Sequence, residues 1–293
     1  MNKKVLITGG AGFLGSHIAD ELSDRGFDVT VTDLVKSQWI RQDQKMLVGN
    51  INDDQFLDMA MQGQDIVFHL AALADLNAAK TRPLETVETN VLGTVRLLKL
   101  ATEHKIERFM FASTVYVYSR EGGFYRCSKQ ACENYIEEFN RTNGIEYTIL
   151  RYGSLYGPRA DEANGVFRLL KEAMKTGKVV HHGTPADRRE YIHVRDAAKL
   201  SVDALKQVYK NTHLIITGND TLKIEDLFYM FSEILGKNIE PDYISNDAKD
   251  GHYRITPYTF TPKTGKKLTT PYYVDMGQGI LQVIEEIYQN KSE

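Results

Sequence analysis

The sequence is poor in cysteine and in long apolar runs. Its 293 residues include two cysteines, Cys127 and Cys132, which excludes a disulfide framework and favours a reducing compartment. No segment approaches the roughly 20 apolar residues that a membrane helix needs. The apolar run Val5–Ile7, which follows Lys3 and Lys4, is too short for the core of a signal peptide. We therefore expect a cytoplasmic protein with no membrane partner.

The chain also lacks an excess of charge of either sign. It has 36 basic and 39 acidic residues, a net charge of −3, so we expect no nucleic-acid partner. Hydrophobic residues make up 42 % and charged residues 26 %, which excludes a disordered or collagen-like chain and allows a substantial core. At roughly 150 residues per domain, this length is compatible with two domains or with one large domain.

Short apolar runs alternate with longer amphipathic segments through the first half of the chain. The alternation predicts an α/β fold, a doubly wound parallel sheet of the Rossmann-like type. The predicted strands are Val5–Thr8, Val29–Thr32, Met46–Gly49, Ile66–Leu70, Arg108–Ser113, Tyr147–Arg151 and His213–Gly218. The predicted helices are Phe13–Arg25, Leu84–Glu103, Tyr125–Asn143, Val166–Thr176, Arg195–Val208, Ile224–Leu235 and Gly279–Tyr288.

The pattern changes after Gly157 and Pro158, which suggests a smaller C-terminal α+β domain. We predict a dinucleotide-binding domain over 1–155 with a returning segment at about 192–217. The substrate-binding domain then comprises 156–191 and 218–293, and ligands bind in the cleft between the two. His181 and His182 lie in a predicted loop without a third ligand nearby, so we expect no metal site there.

A glycine-rich turn joins the first strand to the first helix. Gly9, Gly12 and Gly15 follow the pattern GxxGxxG. Glycines permit a tight turn and a close approach of the backbone to a pyrophosphate, which the helix N-terminus stabilises. Asp33 ends the second strand 18 residues beyond Gly15, where a carboxylate accepts the adenosine ribose hydroxyls and repels the extra phosphate of NADP. The sequence therefore predicts NAD as the cofactor.

Tyr125 and Lys129 are four residues apart at the start of a predicted helix and so share one face. A phenol has a pKa of about 10, and an adjacent ammonium lowers that pKa. A phenol tuned in this way exchanges a proton with a substrate hydroxyl while a nicotinamide takes the hydride. Thr114, at the end of the fifth strand, can hydrogen-bond the reacting oxygen. We expect His69, at the end of another strand, to be a hydrogen-bonded core residue.

Several segments occur in the order found in a known family. The chain resembles the extended short-chain dehydrogenase/reductase family, specifically its NAD-dependent sugar-nucleotide epimerases and dehydratases, over roughly the first 220 residues. The segments that carry the resemblance are TGGAGFLG (8–15), HLAA (69–72), NVLGT (90–94), the ST and VY pairs within 113–118, YRCSK (125–129), LRYGSLYGPR (150–159) and RREYIHVRD (188–196).

The resemblance implies a role for individual residues. For the cofactor it implies Gly9, Gly12, Phe13, Leu14, Gly15, Asp33, Asn50, Ile51, Ala71, Ala72, Tyr125, Lys129, Tyr152 and Ser154. It implies Thr114, Tyr125 and Lys129 as the catalytic residues, and Thr114, Asn164 and Arg189 as the substrate-binding residues, with Arg189 on the diphosphate. It also implies a nucleotide-sugar substrate and a homodimer formed through a four-helix interface.

Departures from the family pattern disfavour two of the family's reactions, dehydration and decarboxylation. Dehydratases of the family carry Thr-Asp-Glu where this chain has Thr114, Val115 and Tyr116, and its decarboxylases carry a glutamate at the position of Tyr116. The segment between Tyr118 and Tyr125 is short, and the stretch Tyr253–Tyr273 does not resemble the usual family ending. We expect an epimerase that acts at C4 of a nucleotide-diphosphate sugar through a transient 4-keto intermediate. A nucleotide-sugar C4 dehydrogenase or keto-reductase is the alternative, followed by a 4,6-dehydratase and a non-catalytic NAD-binding protein.

Overall fold

The computed structural model describes residues 2–244 and 265–290 of the chain. The strands in this part of the chain are β1 (Lys4–Thr8), β2 (Asp28–Asp33), β3 (Gln44–Val48), β4 (Ile66–His69), β5 (Arg108–Thr114), β6 (Tyr147–Tyr152), β7 (Ser154–Tyr156), β8 (Lys178–His182), β9 (Arg188–His193), β10 (Thr212–Ile216), β11 (Thr221–Lys223), β12 (Glu240–Ile244) and β13 (Lys266–Lys267).

The α-helices lie between these strands, and one of them continues from a π-helical segment, Val87–Leu92. They are α1 (Phe13–Asp24), α2 (Asp54–Met61), α3 (Leu76–Thr81), α4 (Pro83–Thr86), α5 (Gly93–Glu103), α6 (Gly123–Asn143), α7 (Gly165–Thr176), α8 (Val194–Asp203), α9 (Ile224–Leu235) and α10 (Met276–Gln289). Two 3-10 segments, Val115–Tyr118 and Gln207–Tyr209, complete the set. Among the described helices none is both long and apolar enough to span a bilayer.

Eight parallel strands form the main sheet in the order β13-β10-β6-β5-β4-β1-β2-β3. Strand order runs outward in both directions from the β1–β4 pair, so this pair is the topological switch point. Loops that follow strands on either side of such a point diverge and leave a crevice at the carboxyl edge. The Rossmann-like fold predicted from the sequence is confirmed.

Both faces of the main sheet are covered, which explains the continuous apolar runs of its strands. Val5, Leu6 and Ile7 of β1 are completely buried. On one face α1 packs beside α8, with Ile18 in their shared core. On the other face α2, α5 and α6 cover the sheet through a core that includes Leu97.

A second apolar core lies outside the main sheet. Helices α7, α9 and α10 pack around residues such as Leu170, Phe231 and Ile280, all completely buried. Two small sheets accompany them, β11-β9-β7 and β12-β8. In residues 266–267 the chain returns to the main sheet as β13, although the sequence assigned this stretch to the smaller domain.

Two local predictions are wrong. The predicted loop that contains His181 and His182 forms strands β8 and β9, because β8 pairs in parallel with β12, some 60 residues later in the chain, and local sequence does not reveal such a partner. The predicted helix Arg195–Val208 ends at Asp203. Most of the unusual stretch Tyr253–Tyr273 lies outside the described residues.

Candidate active site

A cleft of about 1320 Å³ opens at the carboxyl edge of the main sheet and extends to β8, β9 and α7. It exceeds the roughly 300–1,000 Å³ of an ordinary small-molecule site, so it has room for a dinucleotide and a second ligand. Every residue that the sequence analysis assigned to a site lines it: Gly9, Gly12, Phe13, Leu14, Gly15, Asp33, Asn50, Ile51, Ala71, Ala72, Thr114, Tyr125, Lys129, Tyr152, Ser154, Asn164 and Arg189.

The glycine turn is packed too closely for side chains. Gly9 has a φ of +73°, and a Cβ there would lie 2.5 Å from the backbone nitrogen of Ala71. A Cβ on Gly15 would lie 2.3 Å from the carbonyl oxygen of Gly9. Helix α1 begins after Gly12 with no side-chain cap and no acidic residue in its first turn. Its free N–H groups and positive dipole end therefore fit the pyrophosphate of NAD.

Asp33 lies on the rim of this turn. Its Oδ2 accepts a hydrogen bond from the N–H of Ala11 at 3.0 Å, and its Oδ1 accepts one from the N–H of Leu34 at 2.7 Å. Each carboxylate oxygen keeps a second lone pair, which can accept a ribose hydroxyl. Asn50 and Ile51 line the same end of the cleft, and the Asn50 Oδ1 accepts from the N–H of Asn52.

His69 ends β4 and precedes Leu70, which lines the cleft. Its Nδ1 is hydrogen-bonded to the Thr8 Oγ1 at 2.7 Å, and its Nε2 to the Thr94 Oγ1 at 2.9 Å. The ring is 1 % exposed, and burial lowers its pKa to about 3. The predicted core role is confirmed, because both nitrogens are occupied and the ring is neutral at physiological pH.

Tyr125 and Lys129 lie on the cleft-facing side of α6, which begins after Gly122 (φ +87°). Lys129 is 2 % exposed, and its Nζ donates to the carbonyl oxygen of Ala112 at 2.7 Å. The same Nζ lies 4.6 Å from the centroid of the Phe111 ring and 5.7 Å from that of the Tyr125 ring. Burial lowers the pKa of Lys129 to about 8, so the ammonium form still dominates at neutral pH.

The predicted lowering of the Tyr125 pKa is not found. Burial raises the pKa of the phenol, with a smaller contribution from Cys132. The reason is geometric: the Lys129 ammonium is directed to the Ala112 carbonyl and lies over the Tyr125 ring, so desolvation outweighs its attraction for a phenolate. Ionisation of Tyr125 therefore needs further positive charge in the cleft.

Thr114 ends β5 and caps the 3-10 segment Val115–Tyr118. Its Oγ1 accepts from the N–H of Tyr116 at 3.2 Å, and the residue is 6 % exposed. A hydroxyl that accepts in this way still has a proton to donate. Thr114 can therefore donate to an oxygen bound in the cleft beside Tyr125.

A buried ionic network behind these residues was missed from the sequence. Arg151, 1 % exposed, donates to both oxygens of Glu133, from Nε to Oε1 at 3.0 Å and from Nη2 to Oε2 at 2.6 Å. The Ser113 hydroxyl donates to the same Oε1 at 2.5 Å, and the Arg151 Nη1 donates to the Tyr118 hydroxyl at 2.7 Å. The sequence held one signal for this network, an arginine inside the apolar strand YTILRY. A cation buried in such a strand requires a partner of opposite charge.

The other residues predicted to bind the substrate or the nicotinamide end of the cofactor all line the cleft, but some of their polar groups are already hydrogen-bonded within the protein. Arg189, on β9, is half-buried in the cleft wall. Asn164 caps α7, and its amide is occupied: Oδ1 accepts from the Phe167 N–H and Nδ2 donates to the Leu155 carbonyl. The Tyr152 hydroxyl is bonded to Ser201 at 2.6 Å, so Tyr152 contributes to the wall without offering a free hydroxyl.

His181 also lines this end of the cleft, from β8. Its Nε2 lies 3.2 Å from the Asp187 Oδ2, and Asp187 also accepts from the hydroxyl and N–H of Thr184. His181 is thus a buried, partnered side chain rather than part of a solvated loop. Within the described residues no group of three potential ligands is placed to hold a metal ion.

Comparison with known proteins gives a consistent result. Residues 5–216 match the family model described as the NAD dependent epimerase/dehydratase family. A UDP-N-acetyl-alpha-D-glucosaminuronate decarboxylase of Bacillus cytotoxicus is 30 % identical over 257 residues, 78 % of this chain and 78 % of that protein. The structure of a UDP-glucose 4-epimerase of Thermotoga maritima with UDP-glucose has a TM-score of 0.85 and 26 % identity, and covers 98 % of this chain and 99 % of that one.

A second solved structure, of a Thermus thermophilus UDP-glucose 4-epimerase in complex with NAD, has a TM-score of 0.80 and 25 % identity and covers 97 % and 99 % of the two chains. The family model spans more than half of this sequence, and the family is NAD-dependent. The family resemblance and the expectation of NAD as cofactor are both confirmed. The chain belongs to the NAD-dependent epimerase/dehydratase family.

Proposed function

We propose that the protein is an NAD-dependent epimerase of a nucleotide-diphosphate sugar, acting at C4 through a transient 4-keto intermediate. The observation that carries the proposal is the convergence of Thr114, Tyr125 and Lys129 on the cleft that also contains the glycine turn. Two solved relatives that cover nearly the whole chain are UDP-glucose 4-epimerases, which supports the same class of reaction.

The cofactor end is suited to NAD rather than NADP. Gly9 and Gly15 leave the backbone open where the pyrophosphate binds, and the carboxylate of Asp33 favours two ribose hydroxyls over a phosphate. When bound, oxidised NAD supplies a hydride acceptor and a cationic ring in the cleft. A cation bound there would favour the phenolate form of Tyr125.

At the reacting carbon, each residue has a separate task. Tyr125 takes the proton of the C4 hydroxyl and later returns it to the C4 oxygen. Lys129 stabilises the phenolate as an ammonium close to its ring. Thr114 donates a hydrogen bond to the same oxygen and orients it. Arg189, with its forked donors, holds the diphosphate so that the sugar can turn and present its other face.

The residues after Thr114 argue against elimination of water. A 4,6-dehydratase needs an acid and a base there, whereas Val115 is 1 % exposed and apolar and Tyr116 carries no carboxyl group. The decarboxylase of Bacillus cytotoxicus is similar over 78 % of this chain, but the family resemblance implies that decarboxylation calls for a glutamate at the position of Tyr116. An epimerase needs neither group.

The direct test is to incubate the purified protein with a panel of nucleotide hexoses and to follow the products by chromatography with mass detection. A new peak of unchanged mass supports the epimerase and identifies its nucleotide. Loss of water would indicate a dehydratase. Loss of two hydrogens with NADH formation would indicate the dehydrogenase alternative. No conversion of any substrate by NAD-loaded protein would contradict the proposal.

We also infer a division of labour between two domains. Residues 1–155 with 192–217 form the dinucleotide-binding part, and 156–191 with 218–293 form the substrate-binding part, apart from the two-residue return of β13. The separate apolar core around α7, α9 and α10 supports this division.

We propose the cytoplasm as the compartment, since Cys127 and Cys132 are both free thiols.

We further propose that the protein forms a homodimer. In each copy α4, the π-helical segment and α5 pack against α6, and the proposed interface joins this helical layer to the same layer of the second copy. Apolar side chains on these elements remain between 43 % and 78 % exposed: Leu84, Val87, Leu92, Phe124 and Tyr135. Burial of such side chains against a second copy would stabilise the pair.

Sedimentation velocity tests the dimer. Leu84→Glu should convert a dimer into a monomer, because it places a charge in the proposed interface. Leu281→Glu, on α10 and 42 % exposed, is the matched control and should leave the oligomeric state unchanged. A wild-type protein that sediments as a monomer at micromolar concentration would contradict the dimer.

A further inference from the structure

The Glu133–Arg151 network joins β6 to β5 and α6, the two elements that carry Thr114, Tyr125 and Lys129. Glu133 lies on α6, one turn after Lys129, and accepts the hydroxyl of Ser113, the residue before Thr114 on β5. Arg151 lies on β6 and holds Glu133 with two hydrogen bonds. Both groups are buried, Glu133 being 6 % and Arg151 1 % exposed.

We propose that Glu133 and Arg151 are positioning residues for the reaction: together they fix Thr114 relative to Tyr125, and the carboxylate of Glu133 balances the buried ammonium of Lys129. The proposal rests on the epimerase function proposed above. It goes further by assigning a task to two residues that do not line the cleft.

Two hydrogen bonds of the Glu133–Arg151 pair hold Thr114 in position. Ser113 is bonded to Glu133 on the N-terminal side of Thr114. On the C-terminal side, the 3-10 segment that Thr114 caps ends at Tyr118, whose hydroxyl accepts from Arg151. Thr114 is therefore held on both sides by one ion pair. Because Glu133 is on the same helix as Tyr125 and Lys129, the ion pair fixes the donor hydroxyl relative to the phenol.

The charge part follows from what surrounds Lys129. Among the described residues, the ionisable groups that face its ammonium are Tyr125, Cys132 and Glu133 on α6 and His69 on β4. Burial raises the pKa values of Tyr125 and Cys132, and His69 has a pKa of about 3, so all three are neutral at pH 7. Cys132 and Glu133 both oppose the desolvation of Lys129, and of the two the carboxylate of Glu133 is the charged group, because the Cys132 thiol is neutral at pH 7.

This arrangement predicts opposite effects of two substitutions. Glu133→Gln should lower the pKa of Lys129 from about 8, because it removes the opposing charge. Arg151→Gln should raise that pKa, because Arg151 lies behind Glu133 and partly cancels its field. The titration is followed by NMR of protein labelled at lysine Cε, with the Lys129 signal assigned from a Lys129→Arg variant. Glu138→Gln, in an exposed ion pair on α6, is the control and should shift nothing.

A gentler variant tests the positioning. Tyr118→Phe removes only the hydroxyl that accepts from Arg151 and leaves both charges paired. We expect kcat to fall about tenfold, with KM and NAD affinity within about twofold of the wild type. A purely structural role would lower the thermal midpoint without this separation of kcat from KM.

If either charge variant fails to fold, Glu133→Gln/Arg151→Gln removes both charges together and should still lower the pKa of Lys129, because Glu133 is the nearer group.

The proposal is overturned if Glu133→Gln and Arg151→Gln shift the Lys129 titration in the same direction or not at all. It is also overturned if Tyr118→Phe has the kcat of the wild type. Failure of the epimerase proposal is separable, because the lysine titration requires no turnover. A protein that shows the opposite shifts but converts no nucleotide sugar would retain the charge pairing and lose the assigned reaction.

Discussion

The Oδ2 of Asp33 accepts a hydrogen bond from the N–H of Ala11 at 3.0 Å, which joins the end of β2 to the glycine turn. This bond fixes the carboxylate that we propose distinguishes NAD from NADP relative to the turn that we propose holds the pyrophosphate. Since asparagine has nearly the same size and shape as aspartate, removal of the charge at Asp33 should alter cofactor choice without altering the fold.

Asp33→Asn should weaken NAD binding roughly 10- to 100-fold, because a hydrogen bond to a charged group contributes roughly 1.5–3 kcal/mol. Binding of NADP should improve relative to NAD, since the repulsion of its phosphate is removed. Calorimetric titration with both cofactors measures the effect. Asp28→Asn, at the other end of β2 beside Lys45, is the control. An unchanged NAD/NADP ratio in the Asp33 variant would contradict the assigned role.

Tyr125→Phe should abolish turnover while NAD binding stays within about twofold. A positioned acid–base group typically contributes 10²- to 10⁴-fold, and at least that loss in kcat is expected. Tyr135→Phe removes a phenol from the same helix at a position that is 47 % exposed, and should have wild-type activity. Undiminished turnover in the Tyr125 variant would rule out the proposed mechanism.

Gly15→Ala should reduce both stability and NAD affinity. Its Cβ would lie 2.3 Å from the carbonyl oxygen of Gly9, so the backbone of the turn must move. Overpacking of this kind costs about 1–3 kcal/mol. Gly165→Ala, also at the start of a helix but with no atom within 4 Å of its Cβ, should be neutral or stabilising. Urea unfolding of the two variants, with and without NAD, provides the comparison. Equal stability and NAD affinity in the two variants would show that the turn can accommodate a side chain.

Acid should destabilise the protein between about pH 6.5 and pH 4. Burial lowers the pKa of His17, His193 and His213 from 6.5 to about 4. In this window the unfolded chain binds more protons than the folded one, so stability is lost as the pH falls. Each group contributes a slope of up to about 1.4 kcal/mol per pH unit.

Urea unfolding at several pH values measures this slope. His17→Gln keeps a donor for the Pro158 carbonyl but cannot titrate, so the free energy of unfolding should depend less steeply on pH in this variant. A variant with the slope of the wild type would show that His17 is not a source of the proton linkage.

Much of the main sheet follows from local sequence. The apolar runs place β1, β2, β4, β5 and β6 within one or two residues of the observed ends, because strands buried on both faces need continuous apolar side chains. The turn at Gly9–Gly15 and the carboxylate at Asp33 follow from the same connectivity. Parallel strands with helical crossovers bring these carboxyl ends to a single edge.

Other features depend on partners that are distant in the chain and are brought together only by folding. Strand β8 exists because β12 pairs with it, and Arg151 is tolerated in a buried strand because Glu133 and Tyr118 reach it from α6 and the 3-10 segment. The pKa of Tyr125 likewise reflects burial by the assembled cleft, which the spacing to Lys129 does not reveal. The fold, the glycine-rich turn and the identity of the side chains that meet in the cleft follow from local sequence pattern. Desolvation and long-range pairing determined their electrostatics.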